Sequence, residues 1–194
     1  MRNPRKLSHQ AVGAFGERAV EAELLRHDWI PANVNATVKN AADFDIYAVK
    51  KGHTVHLRVR ACGPDSRAFQ FGGFDPGEQV KVGKFSDTDF TVLVSMSSDR
   101  NRDQFYVLPS RVVRQEIALR QRHYLSVAKR DGTARKDTGH WTLRLAKRKD
   151  GRQEAGYDLE DKWRQYLEAW DLLERTAAFE GNPDIEQTSP NDRV

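Results

Sequence analysis

A strand-like segment over residues 54–61 places three polar side chains on one face. Successive strand residues point to opposite faces, so His56, Arg58 and Arg60 share a side while valine and leucine occupy the other. Arginine stays charged and offers a planar fork for two phosphate oxygens, so this face could clamp a nucleic-acid backbone. Alternatively, the two arginines pair with Glu17 and Asp45 in a half-buried ion network. The sequence leaves both interpretations open.

Further positive charge is concentrated in one part of the chain. Residues 1–152 carry a net charge of +11 and residues 153–194 carry −7, while residues 100–152 hold 15 basic and 5 acidic side chains. A basic body favours a polyanionic partner, because each neutralised phosphate releases condensed counterions. A solvated helix surface explains the same pattern. The side chains that would line a nucleic acid are Arg111, Arg114, Arg120, Arg122, Lys129 and Arg130.

Several common catalytic and binding motifs are absent. The sequence has no G-x-S-x-G, and Gly83-Lys84 is followed by phenylalanine, which excludes a phosphate-binding P-loop. No two histidines have the H-x-x-x-H spacing of a helical metal site. Cys62 is the only cysteine, which excludes an internal disulfide framework and a structural zinc site of cysteines. We expect Cys62 to be an inert, buried thiol.

Hydrophobic periodicity predicts a mixed succession of helices and strands. The first helix is predicted from Ser8, as its N-cap, to about His27, and a second from Pro109 to about Tyr124. A last helix is predicted from Asp158, with an aromatic and leucine stripe facing the core. The predicted strands are 30–35, 44–49, 54–61, 68–71, 90–94, 105–108 and 141–145. This order indicates an α/β or α+β fold with a central mixed β-sheet flanked by helices.

One constellation of residues points to a known superfamily. A helix with Gly13-x-x-Gly16-Glu17 precedes Asp43-Phe44-Asp45-Ile46, a glycine hairpin and the strand Val55-His56-Leu57-Arg58-Val59-Arg60. Over about residues 10–110 this order resembles the PD-(D/E)XK nuclease superfamily, in particular its small prokaryotic, restriction-endonuclease-like members. The resemblance implies a restriction-endonuclease-like core at about residues 8–125, followed by a C-terminal strand and helix at 140–178.

The resemblance also implies a metal-dependent phosphodiesterase site. In such enzymes an aspartate on one strand and an acid on the next hold Mg²⁺, and a lysine two residues beyond that acid orients water. In this chain the aspartate position is Asp45 and the helix glutamate is Glu17. Arg58 occupies the position of the acid, and Arg60 occupies that of the lysine. Asp43, which shares a face with Asp45, is a further candidate metal ligand.

Arg58 and Arg60, in place of the acid and the lysine of the motif, decide the functional prediction. The charges of the four motif residues sum to zero, whereas Mg²⁺ requires a net negative set of oxygen ligands. We therefore predict a nucleic-acid-binding protein, with DNA as the partner, that has an impaired active site and no cofactor. One alternative is an active Mg²⁺-dependent DNA endonuclease with relocated catalytic groups, for which the candidates are Glu78, Lys81 and Lys84. A second alternative is a protein-interaction module on the same fold.

Length and composition bear on domain organisation and location. The 194 residues suit one domain over residues 1–179, and residues 180–194 have so little to bury that we expect a disordered tail. No apolar run approaches the roughly 20 residues that span a bilayer, and the basic N-terminal residues lack the apolar region of a secretory signal. We therefore expect a cytoplasmic protein with no membrane contact. A homodimer is compatible with the sequence.

Overall fold

A computed structural model describes residues 7–34, 44–64, 66–72, 74, 76, 78, 80, 86, 88–99, 102–145 and 159–179. The predicted tail at 180–194 lies outside these residues. The helices are α1 (His9–Arg26), α2 (Ser110–Ser126), α3 (Leu159–Lys162) and α4 (Leu172–Phe179), with a 3₁₀ turn at Arg164–Tyr166. The strands are β1 (Ile30–Asn33), β2 (Ile46–Lys50), β3 (His53–Cys62), β4 (Ala68–Phe71), β5 (Asp89–Ser95), β6 (Gln104–Pro109) and β7 (Trp141–Arg144). No helix in the described part of the chain combines the length and apolarity needed to cross a bilayer.

The centre of the fold is a five-stranded sheet in the order β1-β2-β3-β5-β6. β1, β2 and β3 pair antiparallel, and Gly52 turns the chain between β2 and β3 with a φ of +84° that glycine adopts without strain. β3 and β5 run parallel, and β6 returns antiparallel to β5. Every residue of β5 is buried, because this inner strand is covered on both faces. The predicted mixed α+β class is confirmed.

α1 covers one face of the sheet and lies closest to β3. Ser8 caps the helix as predicted, because its hydroxyl accepts a hydrogen bond from the Ala11 N–H at 3.1 Å. Gly16 lies against β3, where an added Cβ would sit 2.5 Å from the Cβ of Ala61. The absence of a side chain at Gly16 therefore permits this close approach, which brings the adjacent Glu17 to the edge of the sheet.

The other face of β5 and β6 is covered by α2, and β4 and β7 form a separate two-stranded sheet. Val113 and Ile117 of α2 pack with Leu93 in an apolar cluster. Leu119 of the same helix is 40% exposed. The reason is helical geometry: residues 113, 117 and 120 form the inward stripe, and position 119 points away from it.

The prediction of a continuous C-terminal helix from Asp158 is wrong. Asp158 lies outside the described residues, α3 ends at Lys162, and Leu167 forms a β-bridge with Tyr106 of β6. Glu168, at a φ of +52°, donates its main-chain N–H to Phe105 O at 2.7 Å, and its side-chain Oε1 accepts from the Phe105 N–H at 2.9 Å. Pairing with the edge strand β6 thus replaces helical hydrogen bonds. The predicted core positions Trp163 and Trp170 are buried, as expected.

Candidate nucleic-acid interface

The polar face of β3 is open beside α2. His56, Arg58 and Arg60 are half-buried, and the valine and leucine residues between them are buried on the α1 side, as the alternation predicted. Tyr47 of β2 lies opposite His56 in the register, and their rings meet edge to face at 4.9 Å between centroids. The ring of Phe44 is 5.1 Å from that of His56. Basic and aromatic side chains therefore lie together on one surface.

Asp45 ends the pairing between β2 and β3. Its main-chain N–H donates to Leu57 O at 2.9 Å. Its Oδ2 accepts a hydrogen bond from the Val59 N–H at 2.7 Å and lies 3.3 Å from the guanidinium of Arg60. The carboxylate thus replaces a main-chain acceptor at the point where β2 begins. The residue that the resemblance assigns to metal binding supports the sheet in this structure.

Arg60 belongs to an ion network, as one of the two interpretations predicted. Besides contacting Asp45, its guanidinium donates to Val59 O at 2.6 Å. Burial, and then the charge of Arg58, lower the pKa of Arg60, while the carboxylates of Asp45 and Glu17 act in the opposite direction. Two guanidinium groups therefore share this face, and the nearby carboxylates oppose their repulsion.

Glu17 lies at the α1 side of the same charge cluster. Its Oε2 accepts a hydrogen bond from Asn33 Nδ2 at 3.1 Å, and the same amide nitrogen donates to Glu21 Oε1 at 2.7 Å. These bonds tie the carboxylate of Glu17 to β1. Glu17 affects the site through its negative charge, which acts to raise the pKa of Arg60.

The donor set around Asp45 does not fit Mg²⁺. Within the described ranges, no three histidine, cysteine, aspartate or glutamate side chains converge as metal ligands. The Oδ2 of Asp45 is already engaged by Val59 and Arg60, and a hard dication requires carboxylate-rich surroundings. Glu78 is exposed, and its main-chain oxygen accepts from Gln121 of α2 at 2.7 Å. The other candidates for relocated groups lie outside the described residues: Asp43, Lys81 and Lys84.

Arg58 lines a cleft of about 300 Å³ between β3 and the first turns of α2. Its side chain forms neither a hydrogen bond nor an ion pair with any residue that the structure describes, so within that part of the chain the ion network includes Arg60 and not Arg58. Arg114 of α2 also lines the cleft, and its guanidinium carbon lies 4.6 Å from the ring centroid of Phe74. The cleft therefore receives two cationic side chains from different elements.

The rest of the cleft wall combines aromatic rings with hydroxyl groups. Phe44, Phe71 and Phe74 provide the rings. Thr91 and Ser110 are buried, and their hydroxyl oxygens are 2.9 Å apart. This lining offers cations, apolar surfaces and hydrogen-bonding groups to one ligand.

The acid of the cleft, Asp89, is engaged by other groups. Its Oδ1 lies 2.9 Å from Nδ1 of His56, and its Oδ2 accepts from the Ser86 N–H at 2.8 Å. The carboxylate therefore holds the start of β5 and orients His56. The net charge of the cleft is positive when Arg58, Arg114 and Asp89 are counted.

The structure separates the basic residues that the sequence grouped. Arg114 lines the cleft, while Arg111 and Arg122 of α2 are exposed. Lys129 and Arg130 are exposed in a turn beyond the C-terminal end of α2, whose 17 residues span about 25 Å. Lys129 and Arg130 are thus remote from the cleft, which lies at the N-terminal end of the helix.

Arg120 requires a correction, because the expectation that it faces solvent is wrong. Its Nε donates to Glu116 Oε1 at 3.1 Å, and both side chains are buried. The second oxygen of Glu116 accepts from Lys162 Nζ at 2.6 Å. Arg120 therefore neutralises an internal carboxylate and is not available to a nucleic acid.

The aromatic and hydroxyl residues of the cleft were missed by the sequence analysis. Phe44 lies just before β2, and its ring is close to that of His56. Phe74, Thr91 and Ser110 come from a loop, β5 and the start of α2. The only available signal was the clustering of phenylalanines near Phe71, which does not reveal what they face.

Comparison with known proteins supports the fold. No family model matches the sequence, and no curated protein matches it. The solved structure of a bacterial homing endonuclease, I-Ssp6803I, aligns with a TM-score of 0.52 and 15% identity over 91% of this chain and 100% of that chain. The crystal structure of MepB aligns with a TM-score of 0.31 and 10% identity over 78% and 93%, which is too distant to show a shared fold. The chain thus has a fold similar to that of this homing endonuclease, and membership of the PD-(D/E)XK superfamily stays a prediction.

Proposed function

We propose that this protein binds nucleic acid, with DNA as the partner, through the face formed by β3 and the start of α2, and that its active site is impaired. The observation that carries the proposal is the half-buried guanidinium of Arg58, which has no acid partner among the described residues and faces a cleft with Arg114. A nucleic-acid phosphate would supply the missing negative charge.

The electrostatics of the face favour an anion. Arg58 contributes to the lowered pKa of Arg60, after burial, which means that the two guanidinium groups repel each other. A phosphate bound at Arg58 would reduce that repulsion and would accept two parallel N–H bonds from the planar fork. His56 adds a further polar ring on the same face. The neighbouring fold of a homing endonuclease supports DNA as the polyanion.

The surroundings of Asp45 support the proposal that catalysis is impaired. The carboxylate accepts the main-chain bond of Val59 and faces Arg60, so binding a dication there would require breaking contacts that hold β2 to β3. Arg58, in place of the family acid, adds a positive charge to the same face. We expect binding without metal-dependent strand cleavage.

The test is a fluorescence-anisotropy titration of labelled duplex DNA at several salt concentrations. Arg58→Ala should weaken binding about tenfold and make the slope of log affinity against log salt shallower by about one, as expected for one lost phosphate contact. Arg18→Ala is the matched control, because this exposed arginine lies on α1, on the opposite face of the sheet. Equal affinities of the wild type and Arg58→Ala would refute the proposal.

Catalysis is tested on the same protein with plasmid DNA in EDTA, Mg²⁺ or Mn²⁺. We expect no nicking under any condition. Metal-dependent nicking that is lost in Asp45→Asn would instead establish the active endonuclease, and asparagine retains an acceptor for the Val59 N–H so that the sheet is preserved. A protein that binds no DNA at any salt concentration would favour the interaction module.

A further inference from the structure

The cleft is more than a phosphate site, because much of its wall is aromatic. Phe44, Phe71 and Phe74 line it together with the two arginines. Phosphate oxygens gain nothing from phenyl rings, whereas every nucleobase has a π-face that stacks on them. At about 300 Å³ the cleft is at the lower end of the size of small-ligand pockets, which suits one nucleotide and excludes a duplex.

A series of rings leads into the cleft from the open face. Phe44 lines the cleft and lies 5.1 Å from His56, whose ring contacts Tyr47 at 4.9 Å. These three rings are half-buried and thus reachable by a ligand. A base entering the cleft would therefore have aromatic surfaces beside it, and a neighbouring base would find a further ring on β2.

The hydroxyl pair in the cleft leaves a hydrogen-bonding position for a ligand. Thr91 and Ser110 bond each other at 2.9 Å, so one hydroxyl donates and the other accepts. The accepting hydroxyl keeps its own hydrogen, which forms no further hydrogen bond within the described residues. A buried donor of this kind favours a polar base edge over a wholly apolar ligand.

We propose that the cleft accepts a single unpaired base of a bound nucleic acid, with Phe44 as a stacking partner and Arg58 on the adjacent phosphate. This inference rests on the proposed function. A paired base cannot offer its face to a side chain, because its neighbours in the duplex cover it. The protein therefore prefers single strands and duplexes with one unpaired nucleotide to a perfect duplex.

The experiment compares three labelled probes of equal length and sequence: a perfect duplex, the same duplex with one central unpaired nucleotide, and the single strand. We expect the two probes with an unpaired base to bind about five- to 150-fold more tightly than the duplex, which is the range for stacking one base. Equal affinity for all three probes would overturn the inference and leave the proposed function intact. Failure of all three to bind would refute the proposed function itself.

Two variants separate the base contact from the phosphate contact. Phe44→Leu keeps apolar bulk but removes the ring, and it should abolish the preference for the probes with an unpaired base. Arg58→Ala should weaken all three probes in parallel. Tyr124→Leu is the control for losing an aromatic ring, since Tyr124 is near the far end of α2, and it should keep the preference. Persistence of the preference in Phe44→Leu would contradict the stacking role.

A further measurement uses the unmodified protein, so its result does not depend on whether the variants fold. Deoxyadenosine monophosphate should displace the single-stranded probe at about one-fifth of the concentration that deoxyribose 5-phosphate requires, or less, because only the former carries a base. Equal displacement by the two compounds would show that the cleft binds phosphate alone.

Discussion

Replacing Arg120 by alanine tests how α2 is held against the C-terminal segment. The Nε of Arg120 is 3.1 Å from Glu116, and its side chain is 9% exposed. The Glu116 side chain is only 1% exposed and also bonds Lys162 at 2.6 Å. Arg120→Ala therefore removes one of the two cations that neutralise a carboxylate inside the protein.

The expected loss of unfolding free energy depends on the Glu116 carboxylate, which stays buried, and on Lys162, the cation that still bonds it. Removing one member of a buried ion pair costs about 3–5 kcal/mol, because the other charge stays buried. Lys162 continues to bond Glu116, although its side chain is 52% exposed and its attraction is partly screened by water. We therefore expect the lower end, about 3 kcal/mol of unfolding free energy. For a domain of this size that corresponds to a fall in Tm of about 6–12 °C.

Urea unfolding followed by tryptophan fluorescence measures this loss. Arg122→Ala is the matched control, because it removes the same side chain from an exposed position of the same helix. It should change the unfolding free energy by no more than about 0.5 kcal/mol. Glu116→Leu combined with Arg120→Met should recover much of the lost stability, since no buried charge then remains between the two positions.

A contrary outcome is easily recognised. If Arg120→Ala unfolds like the wild type but loses affinity for DNA, Arg120 is a surface contact and the packing of α2 described above is wrong. If the double variant is less stable than Arg120→Ala, the loss comes from packing of the arginine stem and not from an uncompensated carboxylate.

Two further changes are informative. Gly16→Ala should lower the unfolding free energy by about 1–3 kcal/mol despite the better helix propensity of alanine, because its Cβ would meet Ala61 at 2.5 Å. Gly13→Ala, with nothing within 4 Å, should instead stabilise by about 0.5–1 kcal/mol, and urea midpoints that order the two variants the other way would contradict the close approach of α1. Burial raises the pKa of the Cys62 thiol from its ordinary 9.0, so the folded protein should react slowly with Ellman's reagent at neutral pH. Because the folded state keeps this proton to higher pH, stability should fall as the pH rises above about 9, and Cys62→Ala should reduce that fall.

Local patterns were sufficient for much of the fold. Alternation along β3 identified a strand with one polar face, the continuous apolar run of β5 identified a fully buried strand, and the spacing after Ser8 identified α1. These features repeat with the period of a single element, so a short window of sequence reveals them. The glycine between β2 and β3 likewise marked its turn locally.

Features that depend on contacts between distant residues were not predictable. The predicted last helix is broken because Leu167 pairs with Tyr106 of the edge strand, far away in the sequence. Arg120 is buried because Glu116 and Lys162, which are separated by 46 residues, meet beside it. Neither the bridge nor the network has a periodic signal, since each is fixed only when the elements pack.

The functional face shows the same division. That Arg58 and Arg60 share one side of a strand was predictable from the sequence, because it depends only on the two-residue period of the backbone. The sequence did not show which of the two arginines meets an acid and which faces a cleft. The tertiary structure decided that Arg60 meets Asp45, where β2 begins beside β3, while Arg58 faces the cleft under α2. Coulomb interactions and clefts depend on distances between separate elements, and those distances exist only in the packed molecule.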